Sequence, residues 1–234
     1  MEHQPRIRKS ARISVNVLGR YMVARTATSR QRIVEKQRVP PTCITAWYSK
    51  ATGPIQEFLL GGGRELRPLL NAIQVLKQAR PAEGWDRIRH SICIEAMEKL
   101  SDLADKLDFG DKRAISKRRR AVLVLSGVDV SVRPDIILLK RRRDGAMDLG
   151  AIKLCLAKTE PLPEEAGLYI ATVVRRYLEV TYADHRVAHQ LCQVANPHTG
   201  EVWTAPESCK TRFKDLEAAC REILLLWESG QAAA

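Results

Sequence analysis

Through residue 107 apolar side chains recur every three to four positions, and beyond Phe109-Gly110 every second position, so helices are predicted first and strands after them. Ser14 is a candidate N-cap for a helix with Val15, Leu18, Tyr21 and Met22 on one side. Thr28 or Ser29 can cap a second, short helix that ends before Pro40-Pro41. A third helix is predicted over 44–60 and a fourth over 64–80, stopped by Pro81. Between them Gly61-Gly62-Gly63 reads as a chain reversal. No strand precedes it and no Gly-Lys-Ser/Thr follows it, as a phosphate loop would require. Residues 85–107 carry Ile88, Ile92, Ala96, Leu100, Leu103 and Leu107 along one face of a long helix.

The segments 121–132 and 135–139 are rich in Val, Ile and Leu and read as strands, and 149–157 follows them after a basic turn closed by Asp144-Gly145. Pro161 and Pro163 lead into an amphipathic helix over 164–180, with Tyr169, Val173 and Tyr177 in one stripe. A hairpin is expected over 187–205, and 211–228 closes the chain as a helix. The expected fold class is therefore α/β: a central mixed β-meander over 120–160, flanked by helices, with a mainly helical N-terminal part over 13–110. Residues 13–234 are expected to form one domain, because a chain of 234 residues with 45% hydrophobic content can bury a sizeable core. Residues 1–12 are polar, basic and aperiodic, and are expected to be a flexible arm.

Charge narrows the function. The 39 Lys and Arg against 27 Asp and Glu give a net charge of +12, and residues 1–40 and 111–143 each hold +8 of it, so the remainder is acidic. Concentrated cationic charge implies a polyanion, and nucleic acid is the expected partner. The runs Lys117-Arg118-Arg119-Arg120 and Lys140-Arg141-Arg142-Arg143 are the candidate phosphate contacts; the plainer reading makes them solvated turns. Aromatic residues are sparse at 5%, which argues against a stacking platform for single strands. No apolar run approaches the roughly 18 residues of a membrane span, so a cytoplasmic protein without a membrane partner is expected. Six scattered cysteines without a Cys-x-x-Cys pair fit reduced thiols.

Candidate chemistry lies where the strands begin. Arg133-Pro134-Asp135 enters one hydrophobic strand and Ala151-Ile152-Lys153 lies in the next; in a strand, positions 151 and 153 share a face. This set resembles the PD-(D/E)xK nuclease superfamily, whose restriction-endonuclease-like fold places an aspartate and a second carboxylate around Mg²⁺ or Mn²⁺, with a lysine assisting the attacking water. The resemblance extends to the RecB-like branch: Gly84 and His90 loosely match its histidine helix, and Glu165 with Tyr169 matches its Gln-x-x-x-Tyr pair with Glu in place of Gln. It implies a DNA nuclease in which Asp135, His90 and Glu165 bind metal and Asp135, Lys153, Glu165 and Tyr169 serve catalysis. Ala151 stands at the second carboxylate position, however, so the implied site is degenerate unless Glu164, Glu165 or Asp148 supplies the missing group. The alternative is a catalytically inactive nucleic-acid-binding or interaction protein. A further alternative is a zinc-stabilised accessory protein: if 183–193 were helical, His185, His189 and Cys192 would share a face, and His198 or Cys209 could complete the site.

Overall fold

A computed structural model of the chain describes residues 7–40, 47–79, 84–115, 122–158 and 162–232. In chain order the elements are β1 (Arg12–Ser14), α1 (Val15–Val23), α2 (Ala27–Arg38), α3 (Ser49–Leu60), α4 (Arg67–Gln78), α5 (Gly84–Leu103), β2 (Lys112–Ile115), β3 (Val122–Leu125), β4 (Val128–Ser131), β5 (Ile136–Arg141), β6 (Met147–Leu154), α6 (Glu164–Thr181), β7 (Arg186–Asn196), β8 (Glu201–Thr204) and α7 (Lys210–Ala232). They form a mixed α/β structure with two mixed sheets. The larger has the order β2-β5-β6-β7-β8, and the smaller β1-β4-β3. β6 and β7 pair in parallel while the other neighbours in the larger sheet are antiparallel. A parallel pair needs a long crossover, and α6 provides it.

The two faces of the larger sheet build two cores. Ile137, Leu149, Ala151, Cys192 and Val194 point to one face and pack with α1, α6, α7 and the small sheet. Ile136, Leu138, Ile152, Leu154 and Ala195 point to the other and pack with α3, α4 and α5. This alternation follows from the two-residue period of a strand. α1 crosses α6 closely because Gly19 lies against Ile170, where an added Cβ would fall 2.6 Å from its Cγ1. β6 meets β7 at a register shift between Leu149 and Ala151. Gly150 sits at that shift, and a Cβ there would lie 2.2 Å from the Leu191 Cβ.

Several expectations are corrected. The predicted arm over 1–12 ends in ordered structure: the Arg8 N–H donates to the Arg38 carbonyl at 2.9 Å, Ala11 is buried, and Arg12 begins β1 against Asp129. The segment 121–132 is two strands, because Ser126 and Gly127 both take positive φ (44° and 82°) and turn the chain in two residues. The short edge strand β2 was hidden by its lysine and arginine. Thr26, rather than Thr28 or Ser29, caps α2 by accepting the Ser29 N–H at 3.1 Å. The glycine triplet is a chain reversal as expected, with Gly62 and Gly63 at φ +77° and +72°.

Candidate functional site

The link from β4 to β5 presents Asp135. Arg133 takes a left-handed backbone (φ +39°) while its side chain stays exposed, and Pro134 is buried. The Asp135 N–H then donates to the Ile152 carbonyl at 2.9 Å, which aligns the residue beside the end of β6. Its Oδ2 accepts the Leu154 N–H at 2.7 Å and the Lys153 ammonium at 2.8 Å. The pair predicted from spacing therefore meets, with side-chain exposures of 29% for Asp135 and 14% for Lys153. Ala151, on the same face as Lys153, is fully buried. Cys155 continues that face, and burial pushes its thiol up to about 11, Lys153 and Arg20 pulling it down and Asp135 pushing it up. Arg20 of α1 thus brings a second cation toward this end of the sheet. Sequence reading missed it, although a lone arginine in the apolar helix VNVLGRYMV was a signal.

The remaining predicted site residues are elsewhere. Glu165 and Tyr169 lie on α6 but face α7. Glu165 is held by the Arg212 guanidinium, and the Tyr169 hydroxyl donates to Asp215 Oδ2 at 3.2 Å. The same guanidinium sits 5.1 Å from the centre of the Tyr169 ring. Burial and the Asp215 carboxylate raise the Tyr169 phenol. Glu164 lines a groove with Gln190, Gln193 and Trp203. Asp148 is five residues from Lys153 along β6, roughly 16 Å in a strand, and pairs with Arg186 (3.4 Å) and Arg142 (3.9 Å). His90 belongs to the helical layer on the opposite face of the sheet, where it is buried and its Nε2 contacts the Lys50 ammonium. The expected metal set of Asp135, His90 and Glu165 is therefore not brought together. Among the described residues no three His, Cys, Asp or Glu side chains converge as a metal site. A hard cation such as Mg²⁺ or Mn²⁺ takes several oxygen donors. Here one carboxylate stands alone, with Oδ2 committed to an ammonium and an amide, so these residues do not fit the ion.

The helical reading of 183–193 is also corrected. His189 and Cys192 lie in β7, where an odd spacing separates their faces; Cys192 is fully buried, with its thiol pushed up to about 12 by burial. His189 Nδ1 contacts the Ala205 carbonyl at 3.1 Å, and His198 Nε2 the Leu156 carbonyl at 3.0 Å. These imidazoles tie loops to the sheet.

The basic runs separate. Lys140–Arg143 occupy the far end of the β5–β6 hairpin, six residues or roughly 20 Å of strand from Asp135 at Arg141. Lys140 pairs with Asp108 at 2.6 Å and Arg142 with Asp144, while Arg141 and Arg143 are exposed. Lys117, Arg118, Arg119 and Arg120 lie outside the described residues. The chain leading to them departs from Ile115, whose partner in the sheet is Ile136, next to Asp135. In α2, Arg32 and Lys36 are exposed, whereas Arg30 pairs with Glu222 at 3.3 Å. No helix among the described residues is long and apolar enough to cross a membrane. Compared with known proteins, the chain matches no family model, and no curated protein is similar to it in sequence.

Proposed function

We propose that this chain binds nucleic acid, with DNA favoured over RNA, on a PD-(D/E)xK nuclease-type scaffold whose metal-dependent cleavage site is degenerate. The observation that carries the reading is the meeting of Asp135 and Lys153 across adjacent strands, beside a fully buried Ala151. In that arrangement the Lys153 ammonium neutralises the one carboxylate, and Arg20 adds positive charge close by. Such a site favours a phosphate over a bare cation, because no second carboxylate draws a divalent ion and two cationic side chains remain near the surface of the sheet end. The net charge of +12 supplies the longer-range attraction.

The test is binding of labelled DNA and RNA, single-stranded and duplex, across a salt series with and without Mg²⁺ or Mn²⁺. Affinity is expected to fall linearly with log salt. Replacing Lys117, Arg118, Arg119 and Arg120 by Ala is expected to lower the slope by about 0.9 for each duplex phosphate that is no longer neutralised. Absent or salt-independent binding overturns the nucleic-acid reading. Cleavage by the wild type that disappears in Asp135→Ala overturns the degenerate one.

A further inference from the structure

Two of the four tryptophans are buried in the cores of the fold, Trp203 (7% exposed) and Trp227 (2%). The other two are on the surface and together. Trp47 precedes α3, Trp85 opens α5, and their ring centres lie 6.0 Å apart with planes inclined by 57°. Trp85 is 64% exposed and Trp47 37%. Their backbone is well anchored: Cys93 Sγ donates to the Trp47 carbonyl at 3.2 Å, and the hydroxyl of Tyr48 donates to the Leu156 carbonyl. Leu156 is three residues beyond Lys153, about 10 Å of extended chain. The aromatic pair is thus fixed toward the sheet end that carries Asp135 and Lys153. The sparse aromatic content that argued against a stacking platform is offset by where the fold places these two rings.

The charges around the pair indicate what covers it. Lys50 and Arg87 are exposed, and Arg89 pairs with Asp86 at 2.8 Å, so three cations face one acid. A second copy of the chain docking here through the same patch would set Lys50 and Arg87 against their own counterparts, like charge against like. A polyanion with accessible flat rings matches both features. Unpaired bases offer a π-face to an aromatic side chain whatever their identity, while their phosphates meet the neighbouring cations. Bases inside a duplex are already stacked and paired, and cannot reach the rings.

We infer that Trp47 and Trp85 form a base-stacking platform for single-stranded nucleic acid. This inference rests on the proposed nucleic-acid reading and narrows it to strands with unpaired bases. It is tested by titrating the full chain with a single-stranded DNA of roughly 20 nucleotides and with the matching duplex, following tryptophan fluorescence and anisotropy of a label on the DNA. The single strand is expected to quench the exposed tryptophans. Trp85→Ala is expected to weaken single-strand binding by about 10-fold while changing duplex binding by less than about 2-fold, and Trp85→Tyr to retain most of the affinity. Superposable circular dichroism spectra establish that the variants are folded. If Trp85→Ala binds single strands as tightly as the wild type, with the salt dependence intact, the platform is overturned and the nucleic-acid reading stands. If the wild type binds neither form, both fall. A concentration-dependent dimer that dissociates on Trp85→Ala overturns the platform in favour of self-association.

Discussion

Replacing Ala151 by Glu tests the packing of the candidate site and its ancestry in one variant. Ala151 is fully buried in β6, between Ile137 on β5 and Cys192 on β7, on the face covered by α6. The longer side chain adds volume to a filled core, at a cost of about 1–3 kcal/mol. Its carboxylate also loses solvent, at a further cost of several kcal/mol when no partner compensates. Lys153, two residues on and on the same face, offsets part of that but is already engaged by Asp135. A net loss of about 3–5 kcal/mol is expected, or about 6–20 °C in Tm for a chain of this size, measured by chemical and thermal denaturation without divalent ions. If the site descends from a metal-dependent nuclease, Mg²⁺ or Mn²⁺ should recover part of that loss by bridging the new carboxylate and Asp135. Weak DNA cleavage should then appear, and disappear when Asp135→Ala is added. Wild-type stability in the variant refutes the packing argument. A destabilised variant that responds to neither ion, in stability or cleavage, refutes the nuclease-type scaffold while leaving nucleic-acid binding to the salt series.

Three further outcomes are expected. Gly167→Ala should destabilise by about 2–4 kcal/mol, because its Cβ would fall 2.3 Å from the Trp203 indole, whereas Gly53→Ala, within α3 and with nothing within 4 Å, should stabilise by about 0.5–1 kcal/mol in the same melts. In a Cys43→Ser background, a thiol reagent at pH 8 should modify the half-buried Cys209 first. Cys155, Cys192 and Cys220, with thiols pushed to about 11, 12 and 12 by burial, should react only on unfolding, and mass spectrometry of the labelled peptides decides it. Burial tends to raise the Asp108 carboxyl, yet the bonds from Lys140 and the Gly110 N–H leave it below its ordinary value. That contribution is present above about pH 4 and lost as pH falls through the depressed folded value. Lys140→Met should therefore cost at most about 1 kcal/mol at pH 7, since solvent screens this half-exposed pair, and the difference should vanish in acid denaturation curves at lower pH.

The elements were largely legible because they rest on local periodicity. The stripe Tyr169, Val173, Tyr177 lies on α6 as read, and the spacing from Asp135 to Lys153 placed both at adjoining strand ends where they meet. Ala151 was legible too, since strand alternation puts it on the face of Lys153. Its complete burial was not, because that depends on α6 and α1 closing over β6, helices whose packing no local pattern encodes. The same reason accounts for Glu165 and Tyr169. Helical spacing placed them on one face, but α7, more than forty residues on, supplied Arg212 and Asp215 and drew that face away from Asp135. His90 shows the limit most plainly: its place on α5 could be read from the chain, but the side of the sheet that α5 covers is a property of the layers. Trp47 and Trp85, 38 residues apart, became neighbours only when α3 and α5 packed together. Periodicity is set by the geometry of one element, whereas a site is set by which elements bury their apolar faces against each other, and that choice is made by the whole chain at once.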